Sequence, residues 1–348
     1  MPQPFHLAAE AGPRCALSIV IPCYNEDENL AVLHRRVSDA AAGVVGTDYE
    51  LVLVNDGSTD STWDRIARLC DDDPHVVGVD LSRNHGHQLA LSAGLGVCTG
   101  ERVLIIDADL QDPPEILPEM YRLMDQGADV VYGQRTERHG ETWFKRATAK
   151  AFYRALGHLV DIPIPLDAGD FRLMSRRALD VLNSMPEQHR FVRGMVSWIG
   201  FPQVSIAYVR QPRYAGVSKY PLGKMVRFAL DAITGFSVRP LRVSSYIGGV
   251  FALFGVALFV RTLYVWEAGG AIVGWTSLMS AVLLLGSAQL FVLGIIGEYL
   301  GRLFMEAKGR PLFVIKDVRG QGRSRGRQVH IAASRWTGNE PHGAARAG

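Results

Sequence analysis

Short apolar runs recur through the first part of the chain: LSIVIP (17–22), LVLVND (51–56), VVGVDL (76–81), VLIIDAD (103–109) and DVVYG (129–133). They are almost continuously apolar instead of alternating, as strands buried on both faces of a parallel sheet are. Longer mixed stretches separate them. STDSTWDRIARLC, for example, opens on helix-capping residue types. Strand–helix alternation predicts a doubly wound α/β domain, placed at residues 15–220 behind a flexible N-terminus, 1–14. In such sheets ligands sit beyond the carboxyl ends of the strands.

Further along, the pattern changes twice. TWFKRATAKAFYRALGHL (142–159) repeats Arg146, Lys150 and Arg154 on one face and Phe144, Ala147, Ala151, Ala155 and Leu159 on another. GKMVRFALDAITGF (223–236) has a similar stripe from Met225 to Phe236. Both predict amphipathic helices, the second within a juxtamembrane segment at 221–242, and basic amphipathic helices favour a membrane surface. Residues 243–260 and 268–297 then carry no charge at all. Runs of this length predict two transmembrane helices, at 243–265 and 272–301.

Charge fixes the expected topology. Lys219, Lys224, Arg227, Arg239 and Arg242 precede the first span, and Arg302, Lys308 and Arg310 follow the second. The loop between offers only Arg261 and Glu267, so both ends are expected in the cytoplasm. The net charge of +2 conceals an uneven distribution: residues 302–348 hold ten Lys/Arg and three Asp/Glu, a balance of +7. That tail is expected to be disordered beyond about 318. Its position after a span favours an anionic leaflet as its partner, not nucleic acid. Cys15, Cys23, Cys70 and Cys98 have neither zinc nor disulfide spacing, and the N-terminus lacks a signal-peptide core. Both features suit a cytosolic domain.

Candidate chemistry collects at the strand ends. PCYNE follows the first strand, NDGSTD the second, and DADLQDPPE the fourth. Each alone is an ordinary turn composition; three at equivalent ends describe one crevice. Asp107, Asp109 and Gln111 alternate, so an extended segment would put all three on one face. Oxygen ligands of this kind suit Mg²⁺ or Mn²⁺ bound to a diphosphate, and the cation would offset carboxylate repulsion. Asp112, before Pro113–Pro114, is expected to serve only the start of the next helix.

With SIVIPCYNE, LVNDGSTDST, DADLQDPPE, DAGDFRLMSR and RYAGVSKYPL in this order, followed by two spans, the sequence resembles glycosyltransferase family 2 enzymes of GT-A fold. It resembles most narrowly the GtrB-type polyisoprenyl-phosphate hexosyltransferases, relatives of dolichol-phosphate mannose synthase. The resemblance covers roughly residues 15–318. It implies that Pro22, Tyr24, Asn25 and Glu26 border the nucleotide base and ribose, and that Asp56 accepts a hydrogen bond from the base. Asp107, Asp109 and Gln111 would form the metal site under the diphosphate, with Arg135 near the phosphates. Asp167 and Asp170 would lie by the reacting centre, and Arg213, Ser218 and Lys219 would grip the acceptor phosphate or the diphosphate.

The implied reaction joins a nucleotide-activated hexose to a membrane polyprenyl phosphate, with inversion. UDP-glucose is the preferred donor; GDP-mannose and other nucleotide sugars stay open. A phosphate monoester is largely ionised at neutral pH, so no strong general base is obligatory. Asp170 or Asp167 is then expected to orient the sugar or stabilise positive charge at its anomeric carbon. The resemblance also implies a bacterial plasma-membrane location and a homo-oligomer, a tetramer by family. A processive polysaccharide synthase is disfavoured, because QPRY (211–214) does not match the Q-x-x-R-W motif of those enzymes. A catalytically inactive adaptor of the same fold is the remaining alternative.

Overall fold

The computed structural model describes residues 15–135, 168–209, 237, 239–268 and 274–320. These divide into two compact units, one holding 15–135, 168–209 and 309–320, the other 237 and the described residues from 239 to 308.

The first unit is built on β1 (Leu17–Cys23), β2 (Tyr49–Asn55), β3 (Val76–Leu81), β4 (Arg102–Ile105), β5 (Val130–Arg135), β6 (Ala168–Ser175), β7 (Gln203–Tyr208) and β8 (Ile315–Arg319). They form one sheet in the order β7-β5-β6-β4-β1-β2-β3-β8. Its centre, β4-β1-β2-β3, is parallel, as the continuous apolar runs require. All seven residues of β1 and all six of β3 are buried. Truncating such a side chain, Leu53→Ala for instance, would cost about 2–5 kcal/mol.

Helices cover this core through one face each. In α1 (Leu30–Val45) the buried residues are Leu30, Leu33, Val37 and Ala41; in α2 (Thr62–Asp72) they are Thr62, Ile66 and Cys70. Both sets follow the helical period of three to four. By contrast, α3 (His87–Val97) is buried nearly all round. Gly94 lets it approach the sheet, since a Cβ there would lie 2.4 Å from Val20 Cγ1. Following it are α4 (Leu117–Asp125), α5 (Arg176–Ser184) and α6 (Val192–Ile199).

Two features depart from a purely parallel sheet. The strand β6 runs antiparallel to both β4 and β5. Its sequence, AGDFRLMS, sets polar residues among apolar ones and so lacks the pattern of its neighbours. At the far edge β8 runs antiparallel to β3. It lies where the sequence predicted only a basic tail, and Leu312, Phe313 and Ile315 are buried there. An edge strand of five residues gives little periodic signal, which the surrounding Arg and Gly residues obscure.

The second unit is a pair of long helices, α7 (Arg239–Glu267) and α8 (Trp275–Ala307), packed on each other. Stretches of 23 and 24 residues within them are long and apolar enough to cross a membrane. Leu253, Phe259, Leu290 and Phe291 are exposed, which water would penalise and lipid would not. The first expected span, 243–265, lies inside α7; of the second, 272–301, residues 275–301 lie in α8 and residues 272–273 lie outside the described residues, while residues 239–242 of the expected juxtamembrane segment form the start of α7. The amphipathic helix expected at 142–159 lies outside the described residues, as does the stripe at 223–236.

Candidate active site

At the carboxyl ends of β1 and β2 the two loops are stitched together. Asn25, at φ 55°, donates its backbone N–H to Ser58 Oγ at 3.0 Å and accepts the Thr59 N–H on its Oδ1 at 2.9 Å. The Glu26 N–H donates to Thr62 Oγ1, while its carboxylate accepts from Asn29 Nδ2 at 2.6 Å. Pro22 is buried inside β1, and Tyr24 is 47% exposed beside it. Asp56 is buried and accepts the His85 and Gly86 N–H groups at 2.7 and 3.0 Å. Burial pushes its carboxyl upward, and the two backbone donors oppose that shift. Asp56 therefore anchors the entry to α3 on the site.

Beyond β4 the geometry differs from the extended segment expected. The strand ends at Ile105, residues 108–109 turn, and Leu110 takes φ 59°. Alternation accordingly stops: Asp107 and Asp109 stay partly exposed while Gln111 is buried, its N–H donating to Asp109 Oδ1 at 3.2 Å. Asp112 also departs from its expected role. It is fully buried and accepts the hydroxyl of Tyr208, the last residue of β7. That hydroxyl accepts from Arg135 Nε at 3.3 Å, the residue paired with it across β5 and β7. Asp112 thus ties the acidic turn to the sheet through Tyr208 and Arg135. Its neighbour Pro113, with extended backbone, precedes the short 3₁₀ turn Pro114–Ile116.

The antiparallel direction of β6 has a direct consequence. Ile105 pairs with Arg172, so continuing that register sets Asp170 beside Asp107. Asp170 is buried and accepts four hydrogen bonds. Arg193 supplies two, Nε to Oδ1 at 2.8 Å and Nη2 to Oδ2 at 3.3 Å. His87 Nε2 and Gln88 Nε2 supply the others, at 3.1 and 3.0 Å to Oδ2. Gln88 also accepts the Val192 N–H at the start of α6, which fixes Arg193 one residue later. His87 Nε2 lies 3.6 Å from Asp107 Oδ1 as well, so one imidazole joins both carboxylates.

The two acids are driven apart. Burial would raise the Asp170 carboxyl, but Arg193 and His87 hold it well below the usual range. Asp107 is pushed up to about 6, by burial first and then by the neighbouring carboxylates, with His87 opposing. His87 itself is raised: burial works against its charge, and Asp170 and Asp107 outweigh burial.

His87, Gln88 and Arg193 were not anticipated from sequence. HGHQ follows the third strand, where the rule applied to the other three strand ends would have found it. Arg193 sits in an ordinary amphipathic helix and gives no local signal. Asp167, Arg213, Ser218 and Lys219 lie outside the described residues.

Residues 18–182 match the model of glycosyl transferase family 2, and residues 239–303 match the GtrB C-terminal hairpin. Among curated relatives, an uncharacterized glycosyltransferase, YkcC, of Bacillus subtilis (strain 168) is 44% identical over 304 residues, 87% of this chain and 94% of the relative. The chain belongs to glycosyl transferase family 2. A bactoprenol glucosyl transferase of Shigella phage SfV is 38% identical over 305 residues, covering 86% of this chain and 98% of the relative. Among solved structures, S. aureus TarS 1-349 in complex with UDP-GlcNAc is 16% identical, with a TM-score of 0.45, covering 63% of this chain and 65% of the other.

This glycosyltransferase has the mixed α/β sheet of the GT-A type. Its acidic turn fits a divalent cation on one structural ground. Asp107 Oδ1 is closed off from solvent and accepts no hydrogen bond, although His87 Nε2 lies 3.6 Å away in ion-pair reach. No group of three or more His, Cys, Asp or Glu side chains among the described residues forms a closed cage. An open site of one or two carboxylates suits a Mg²⁺-type ion that takes its remaining oxygens from substrate phosphates and water.

Proposed function

We propose that this enzyme transfers glucose from UDP-glucose to a polyprenyl phosphate, giving polyprenyl-phosphate glucose and UDP. The observation that carries the reading is the reach of the similarity: relatives named bactoprenol glucosyl transferase match over 86% of this chain, hairpin included. A lipid acceptor accounts for that hairpin, because a polyprenyl chain stays in the bilayer and presents its phosphate at the surface. Helices α7 and α8 anchor the enzyme in the bacterial plasma membrane, with the catalytic unit and both termini in the cytoplasm. Positive charge on both flanks supports this orientation.

Asn25 and Glu26, with Pro22 and Tyr24, border the nucleotide, and Asp56, whose carboxylate also holds the His85 and Gly86 N–H groups, accepts from the base. Asp107 and Asp109 would hold Mg²⁺ or Mn²⁺, and the ion would stabilise the charge developing on the departing diphosphate, while Gln111, buried in the same turn, steadies Asp109 through its backbone N–H. Arg135, held by Tyr208, stands near those phosphates. Arg213, Ser218 and Lys219 grip the acceptor phosphate or the diphosphate. That phosphate arrives ionised, so the chain need not supply a base. Asp170, strongly acidic and saturated with donors, is a poor base. Its work is to hold His87 and Arg193 against the reacting centre, and the role of orienting the sugar then passes to Asp167. A single displacement inverts the anomeric carbon, and the enzyme works as a homo-oligomer.

The test is to incubate the protein in membranes with radiolabelled UDP-glucose, GDP-mannose and UDP-GlcNAc in turn, then identify the labelled lipid. Label from UDP-glucose in a mild-acid-labile polyprenyl phosphate supports the reading. Label from another donor overturns the sugar assignment, and no labelled lipid from any donor overturns the reaction.

A further inference from the structure

The strand that follows the membrane hairpin carries a cation into the sheet. At β8 the pairing slips: Asp80 faces Asp317 and Leu81 faces Ile315, leaving Lys316 as the extra residue of a bulge. A bulge re-aims the side chain it releases. Here Lys316 Nζ lies 2.9 Å from Asp80 Oδ2, an ion pair without hydrogen-bond geometry. The Asp80 side chain is only 3% exposed, so it requires a counter-charge, and Lys316 provides one.

From Asp80 the connection continues toward the site. Asn55 Nδ2 donates to Asp80 Oδ1 at 2.7 Å, and Asn55 Oδ1 accepts the Ser58 N–H at 3.2 Å. A carboxylate only accepts, so Asp80 compels Asn55 to turn its NH₂ inward and its oxygen toward the loop. Ser58 Oγ in turn accepts the Asn25 N–H. Four consecutive links therefore run from Lys316 to Asn25, through the loop between β2 and α2. The attachment of β8 is firm: Ser82 N–H donates to Val314 O at 2.9 Å, and Gln188 Nε2 donates to Arg310 O at 2.8 Å. The loop is narrowly defined as well. Gly57 sits at φ 63°, where a Cβ would lie 2.4 Å from the backbone of Arg83 and Asn84.

We propose that Lys316 is a positioning residue for the donor: the post-hairpin strand sets, through Asp80 and Asn55, the loop that receives the nucleotide. This rests on the assignment of Asn25 and its neighbours to the donor pocket. The alternative is that Lys316 merely secures an edge strand.

The experiment uses the full chain in nanodiscs. UDP affinity is measured by calorimetry, and glucose transfer is measured with donor and acceptor varied separately. Lys316→Met should weaken UDP binding and raise the donor KM about five- to tenfold, leaving kcat and the acceptor KM within about twofold. Lys316→Arg should restore both. Asp80→Asn should weaken UDP binding too, and adding Lys316→Met to it should weaken it no further, because the partner has already gone. Unchanged UDP affinity in Lys316→Met, with or without a lower melting temperature, overturns the proposal; so does full additivity of the two substitutions. A wild type that binds UDP but transfers no glucose overturns the functional reading alone, and the UDP measurements still decide this one. A wild type that binds no UDP removes the donor pocket and this proposal with it.

Discussion

Asp170→Asn separates a base from a scaffold. The carboxylate accepts from Arg193 twice, from His87 and from Gln88. An amide of the same shape offers one acceptor oxygen and turns an NH₂ group toward donors. Hydrogen bonds to charged groups contribute about 1.5–3 kcal/mol each, but such values do not add. Arg193 and His87, 33% and 43% exposed, recover part of the loss from water. The net destabilisation should be about 2–3 kcal/mol, a fall of roughly 5–10 °C in melting temperature. The sign with pH is fixed: a carboxyl held low in the folded state stabilises above the unfolded value of 3.8, and loses that contribution as pH falls through the lower folded value. Transfer rate should drop about 10²–10³-fold, because His87 and Arg193 lose their common anchor. The assay is initial rate from pH 6 to 9 with saturating substrates. The rate deficit should stay constant across that range. A variant that gains about tenfold per pH unit and approaches wild type at pH 9 would refute the scaffold role, since hydroxide would then be replacing a proton acceptor.

Other substitutions probe the remaining parts. Gln88→Ala removes one donor to Asp170 and the acceptor for the Val192 N–H; rate should fall about tenfold with about 1–2 kcal/mol of stability. Tyr208→Phe removes the hydroxyl donor to buried Asp112, so denaturant unfolding should show the variant destabilised by about 1–3 kcal/mol, whereas Asp112→Asn, which keeps an acceptor oxygen for that hydroxyl, should lose less. Asp107, pushed up to about 6 in the fold, costs metal-free stability as pH rises from 3.8 through 6. Asp107→Asn should therefore raise the melting temperature of EDTA-treated protein at pH 7, by on the order of 2 kcal/mol of stability, with no gain at pH 4 and with activity abolished. Gly57→Ala would place a Cβ 2.4 Å from the Arg83–Asn84 backbone, so circular dichroism and UDP titration should show a folded protein with donor binding lost.

The legible parts of this molecule were those with strong periodic signals. Continuous apolar runs announced β1 to β3, the three-to-four spacing of Leu30, Leu33, Val37 and Ala41 suits a covering helix, and charge-free stretches marked α7 and α8. What failed depended on tertiary direction. Alternation of Asp107, Asp109 and Gln111 suggested a common face, yet the chain leaves the strand at Ile105 and turns through Leu110. Asp112 looked like helix-start chemistry because its partner, Tyr208, is 96 residues away. Asp170 was named correctly as a residue of interest, but its donors come from α3 and α6, which only the antiparallel register of β6 brings to it. The strand β8 escaped notice because five residues at a sheet edge carry no period of their own.

Purified protein decides whether a hexose passes to a lipid phosphate only in the presence of a divalent cation. The measurement is transfer of label from UDP-[¹⁴C]glucose to polyprenyl phosphate in detergent micelles, after EDTA treatment and after return of Mg²⁺ or Mn²⁺. The expected result is no labelled lipid with EDTA, recovery with either cation, a product inverted relative to the donor, and no recovery in Asp109→Asn. Full transfer in EDTA, or a product of retained configuration, would contradict it.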